Sequence, residues 1–156
     1  ALERMVRDLN MEVKIVSCPT VREESGLAMS SRNSYLSPEE RVQAARIHEA
    51  LRIAQREILV CHTRDPRELE ELMREVIAQG AGIRIDYIAM VDPETLEPRP
   101  VLEGRTLIAI RAQLGRTHLI DNLLINVPGG RLAMQFRTPG CEQGRPGGGP
   151  ELKRRK

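Results

Sequence analysis

Two helix starts of the same design constrain this chain more than anything in its composition: Ser37-Pro38-Glu39-Glu40 and Asp65-Pro66-Arg67-Glu68. In each, a side-chain oxygen can accept from an otherwise unpaired N–H, a proline takes the first helical position, and a glutamate closes the first turn. Behind the first start, Ala44, Ile47, Leu51, Ala54 and Ile58 recur at steps of three and four. That spacing predicts a helix to about Leu59 with one apolar face. Behind the second, Leu69, Leu72, Met73, Val76 and Ile77 make a matching stripe, and Gly80 stops it.

At Ile83 the apolar period changes to two: Ile83, Ile85, Tyr87, Ala89 and Val91 alternate, which reads as a strand. "DPETLEP" is a turn-rich connection, "RTLIAIRAQL" a second strand, and Gly115-Arg116 a tight turn into a third, "THLIDNLLI". Two helices followed by three strands, taken as antiparallel, give an α+β unit. Ahead of it, Leu2, Met5, Val6 and Leu9 lie at helical spacing, and "EVKIVSCP" reads as one strand over Glu12–Ser17 with an exposed edge. Helix then strand is the tail of an α/β unit. The chain starts inside this helix without a methionine, so the expectation is that something precedes it.

Composition narrows the function classes. With no Trp, one Phe and two Tyr among 156 residues, the core must be aliphatic, and stacking platforms for single-stranded nucleic acid are not expected. The net charge of +2 is uneven: residues 127–156 hold seven Lys/Arg against two Glu, which leaves the body mildly acidic. That tail is rich in Gly and Pro and has little to bury, so it reads as solvated and disordered; nucleic-acid contact through it is the minor alternative. Cys18, Cys61 and Cys141 share no CxxC spacing, which argues against a disulfide framework or a zinc site. No apolar run approaches the roughly 20 residues of a membrane span. A reducing, cytoplasmic setting is expected.

The segment densest in chemistry is "PTVREESGLAMSSRN". Glycine lets a backbone approach a ligand, hydroxyls and N–H groups satisfy phosphate oxygens, and Arg32 supplies a permanent planar cation. Ser30, Ser31 and Arg32 therefore read as a phosphate-handling set; a polar linker ending in a helix cap is the competing reading. His48, His62 and His118 have no common spacing and read as structural or solvated side chains. Asp121-Asn122 reads as a receiver for an arginine or a turn cap.

The run "IVSCPTVREESGLAMSSRNSYLSPEER" resembles the pantothenate synthetase (pantoate–β-alanine ligase) family, and "DYIAMVDPETLEP" and "THLIDN" follow in the same order as in that family. The resemblance spans about residues 1–125. It implies an ATP-dependent ligase of the nucleotidyl-transferase superfamily, which joins pantoate and β-alanine through pantoyl adenylate, with Mg²⁺ balancing phosphate charge. It further implies that residues 21–36 correspond to the KMSKS loop of class I aminoacyl-tRNA synthetases. In that case Ser30, Ser31 and Arg32 contact the ATP phosphates, with Met29 and the Val21 backbone near adenine.

The implied organisation is a remnant of a Rossmann-like domain over 1–20, the phosphate loop over 21–36, an α+β lid over 37–127 and a basic tail over 128–156. Two departures qualify it. Ser25 stands where the family commonly has Asp, and the family's His-x-Gly-His signature, pantoate-binding glutamines and upstream lysine are not in this sequence. The isolated chain is therefore expected to be inactive, with the intact enzyme a cytoplasmic homodimer. A noncatalytic nucleotide-binding or interaction module is the alternative.

Overall fold

A computed structural model describes residues 2–129. Both expected helices form from their caps. α2, Pro38–Leu59, begins at Ser37, whose Oγ accepts from the Glu40 N–H while the Glu40 carboxylate accepts from the Ser37 N–H. α3, Pro66–Ala78, begins at Asp65, which accepts from the Arg67 N–H at 2.8 Å. The apolar stripes are the buried faces: Ala44, Ile47, Leu51, Ala54 and Ile58 on α2, and Leu69, Leu72, Met73, Val76 and Ile77 on α3. Alanines at 44, 50 and 54 are fully buried, which lets α2 lie close against its neighbours.

β1 (Ile83–Val91), β2 (Gly104–Leu114) and β3 (Thr117–Val127) form an antiparallel meander in that order. The two-residue turn Gly115-Arg116 joins β2 to β3, with Gly115 at φ +56° and packed on α2 where a Cβ would lie 2.3 Å from Glu40 Oε1. One face of the sheet, carrying Thr106, Ile108, Ile110, Ala112 and Leu114 of β2, is buried with the helices in a single core. The other face carries Tyr87, Ile120 and Leu124, all exposed.

β1 departs from simple alternation. Ile85 pairs with Ala112 but Tyr87 pairs with Arg111, so Asp86 is an extra residue. This bulge moves the core face from Ile83 and Ile85 to Ile88 and Met90, and turns Tyr87 outward. A single inserted residue reverses every side chain beyond it.

The helix near the start forms as α1, Leu2–Asp8, with no buried residue. The strand expected over Glu12–Ser17 does not form: residues 12–20 carry no regular structure, are exposed, and pair with no other described segment. A strand exists through its ladder, and this one has no neighbour among the described residues. Cys61 is disulfide-bonded, and Cys18 is a free, exposed thiol. The expected basic tail, 128–156, lies almost wholly outside the described residues.

Candidate functional site

The polar run 21–36 is a pinned hairpin followed by a 3-10 turn. The Met29 N–H donates to the Val21 carbonyl, Glu23 N–H to Leu27 O and Gly26 N–H to Glu23 O, each at 2.9 Å, and Arg22 bridges to Ala28. Gly26, at φ +88°, sits where a Cβ would lie 2.4 Å from His48 Cδ2 on α2, so both the backbone and the contact require glycine. Leu27, 5% exposed, is part of the core.

Arg22 locks the hairpin to β3. Its guanidinium donates to both Asp121 oxygens, at 2.6 and 3.1 Å, and to the Gly26 carbonyl at 3.1 Å. The Asp121 side chain is 7% exposed, so this two-pronged, charge-assisted pair works in a poorly hydrated setting. His48 Nδ1 lies 3.9 Å from the same carboxylate without a hydrogen bond. Desolvation, then the nearby Arg22 cation, holds the His48 pKa below its ordinary value against the pull of Asp121. Asn33 is the second anchor. Its Nδ2 donates to Glu23 Oε1 at 2.8 Å and Ala28 O at 3.0 Å, and its carbonyl accepts from Arg41 at 3.0 Å.

Between these anchors Met29, Ser30, Ser31 and Arg32 are all exposed. Ser30 caps the 3-10 turn Ser31–Tyr35, accepting from the Arg32 N–H at 3.3 Å, which leaves its hydroxyl proton free to donate outward. Arg32 lines a cleft of about 840 Å³ together with Tyr35, Glu40, Arg111, Arg116 and His118. A smaller cavity of about 200 Å³ joins Met29, Ser30 and Arg32 to Asn33, His118 and Asp121. Ser31 lines a third hollow with Met29 and Ser30. The structure thus groups Met29 and the three polar residues on one ledge, while Val21 lines none of these hollows and is joined to the group by the Met29 N–H bond to its carbonyl.

With three arginines against Glu40, whose carboxylate is already bonded to the Ser37 N–H at 2.9 Å, the cleft suits a multiply charged anion. The described residues place no three His, Cys, Asp or Glu side chains together to hold a metal. The reading of Asp121 as an arginine receiver is met by Arg22. Sequence reasoning missed Arg111 and Arg116 and treated His118 as ordinary; the available signal was their position beside the turn that faces the loop.

The family described as Pantoate-beta-alanine ligase matches residues 1–124. The pantothenate synthetase of Thermotoga petrophila is 45% identical over 124 residues, covering 80% of this chain and 44% of the relative. The pantothenate synthetase of Thermus thermophilus superposes with a TM-score of 0.72 at 41% identity, covering 78% of this chain and 44% of that one. The Francisella tularensis pantoate-beta-alanine ligase, solved with beta-gamma ATP and beta-alanine, gives a TM-score of 0.51 at 27% identity over 79% of this chain and 38% of that one. The chain therefore spans less than half the length of the relatives it matches.

Proposed function

The chain belongs to the pantoate–β-alanine ligase family, and on that premise we propose that it supplies the phosphate-holding part of an ATP-dependent ligase that makes pantothenate. In this reading a pantoate carboxylate oxygen attacks the α-phosphorus of ATP, the bond to the β-phosphate oxygen breaks, and pyrophosphate leaves. The β-alanine amine then attacks the acyl carbon, AMP leaves, and the amine gives up a proton. Adenylation turns a poor electrophile into a mixed anhydride with a good leaving group.

The observation that carries this reading is the exposed Met29–Arg32 ledge held between the Arg22–Asp121 and Asn33 anchors and opening on a cationic cleft. Ser30, Ser31 and Arg32 hold phosphate oxygens as pyrophosphate charge develops, the kind of preorganised stabilisation that dominates phosphoryl chemistry. Met29 and the Val21 backbone flank the adenine, in the manner of a KMSKS loop. Magnesium usually keeps several waters and takes one or two carboxylates plus phosphates. Glu40 is the carboxylate among the residues lining the larger cleft, with one oxygen taken by the Ser37 N–H, so a magnesium ion here would be carried chiefly by the phosphates it balances.

Residues 1–20 are the end of a Rossmann-like domain in this reading, and 37–127 the lid. The exposure of Leu2, Met5, Leu9, Val13, Ile15 and Val16 supports a segment that packs against something further. The intact enzyme is read as a cytoplasmic homodimer acting on pantoate and β-alanine; among the described residues no helix is long and apolar enough to cross a membrane. The 156 residues alone bind ATP without turning it over, because positioning the carboxylate for in-line attack needs a pantoate pocket. Calorimetric titration with ATP tests this: binding by the chain that Arg32→Ala weakens about tenfold or more is expected, and equal affinity in the two would remove Arg32 from the site. Pantoate-dependent AMP release by the chain alone would contradict its inactivity.

A further inference from the structure

The β1 bulge places a carboxylate behind the cleft. Asp86, the extra residue of the ladder, has a side chain only 18% exposed, with one oxygen 3.2 Å from Arg111 Nε and 3.4 Å from His118 Nδ1 and the other 3.1 Å from Arg84 Nη2. Arg111 belongs to β2 and His118 to β3, and both line the cleft that Arg32 reaches. Arg116, at the tip of the β2–β3 turn, is exposed and lines the same cleft. Bulges recur where a sheet must re-aim a side chain.

We propose that Arg111, Arg116 and His118 form a second wall of a diphosphate site opposite Arg32, and that Asp86 is the positioning residue that aims Arg111 and His118 into it. The inference rests on the phosphate-holding role given above and extends it from the loop to the sheet. A diphosphate presents oxygens on two phosphorus atoms, more than one guanidinium fork can pair, and an arginine already held by ion pairing to a carboxylate behind it, as Arg111 is by Asp86, loses less freedom on binding. The chemistry recognised is the diphosphate itself, whether still joined to a nucleotide or released from it.

Asp86→Asn separates positioning from background charge. Were Asp86 merely a negative charge near an anion site, neutralising it would tighten binding; as a positioning residue, its loss weakens binding. The 156-residue chain is titrated calorimetrically with inorganic pyrophosphate, with AMP as the comparison ligand. Pyrophosphate is expected to bind and AMP to bind far more weakly. Arg116→Ala, on an exposed turn, is expected to weaken pyrophosphate about tenfold and Asp86→Asn about fivefold, whereas in an Arg111→Ala/His118→Ala background Asp86→Asn should change affinity less than about twofold.

If Asp86→Asn loses its circular dichroism, Asp86→Glu, which keeps the charge but lengthens the reach, replaces it with the same expected weakening. Unchanged or tighter binding in the Asp86 variant, unchanged binding in Arg116→Ala, or no binding by the parent chain overturns the proposal. Arg32→Ala keeps the two readings apart. If it loses affinity while Arg116→Ala and Asp86→Asn do not, the loop clamp stands and the second wall falls; the opposite pattern removes Arg32 and leaves the wall.

Discussion

Replacing Arg22 by alanine should both destabilise the protein and change how its stability depends on pH. Arg22 makes two hydrogen bonds to an Asp121 side chain that is 7% exposed, while its own side chain is 23% exposed. Breaking a fully buried pair from one side costs about 3–5 kcal/mol, and solvent access on the arginine side reduces this to about 2–3 kcal/mol at pH 8. For a domain of this size that lowers the melting temperature by about 3–5 °C per kcal/mol.

His48 supplies the pH dependence. In the parent chain its pKa lies below the ordinary 6.5, first through desolvation and then through Arg22. The unfolded chain therefore takes up this proton first on acidification, and stability falls as pH drops below about 6.5 and through the folded-state pKa. Without Arg22 one of the causes holding the His48 pKa down is gone, while desolvation and Arg52 remain, so the folded-state pKa moves back toward its ordinary value and His48 charges more readily beside Asp121 at 3.9 Å. The loss should then be smaller at pH 5.5 than at pH 8, because a His48 that charges more readily beside Asp121 restores part of the pairing. Urea unfolding of both proteins at the two pH values, with the His48 ring proton followed by NMR, measures this. Equal losses at pH 5.5 and 8, or a loss below about 0.5 kcal/mol at both, would refute the reasoning.

Three further outcomes follow from the same geometry. Gly26→Ala meets both a left-handed backbone, φ +88°, and a contact 2.4 Å from His48 Cδ2; it should cost about 2–3 kcal/mol in urea unfolding, and a near-neutral result would mean that the hairpin is not held as described. Ser37→Ala removes one half of the α2 capping box and should cost about 1 kcal/mol, largely restored by Ser37→Asp. Arg32→Ala should leave the unfolding free energy within about 0.5 kcal/mol of the parent, because Arg32 is exposed, even though it weakens ATP binding.

What could be read from the sequence was local. The two helices follow from Ser37 and Asp65 as caps and from apolar steps of three and four; every expected stripe residue is buried, and α2 buries Ala50 and Glu57 besides. The turn at Gly115-Arg116 and the three strands were legible for the same reason. The Asp86 bulge was not, because strict alternation from Ile83 to Val91 is what a regular strand and a bulged one both begin with, and only pairing with Arg111 and Ala112 reveals the extra residue. The strand over Glu12–Ser17 had the composition of a strand but no neighbour to pair with among the described residues. At the site, Ser30, Ser31 and Arg32 were conspicuous as a polar cluster beside a glycine. Arg22, Arg111, Arg116 and His118 were not, since their role comes from strand register and from a contact across 99 positions.

The central claim is that this segment holds ATP phosphates during adenylation, and the most direct measurement is pantoate-dependent AMP and pyrophosphate release by a full-length ligase of the family carrying residues 21–127 of this chain, with and without Arg32→Ala. The account predicts an active ligase whose adenylation rate falls about 100-fold or more in the variant, the usual cost of removing a charge-stabilising donor at such a site. Full activity in both would contradict it.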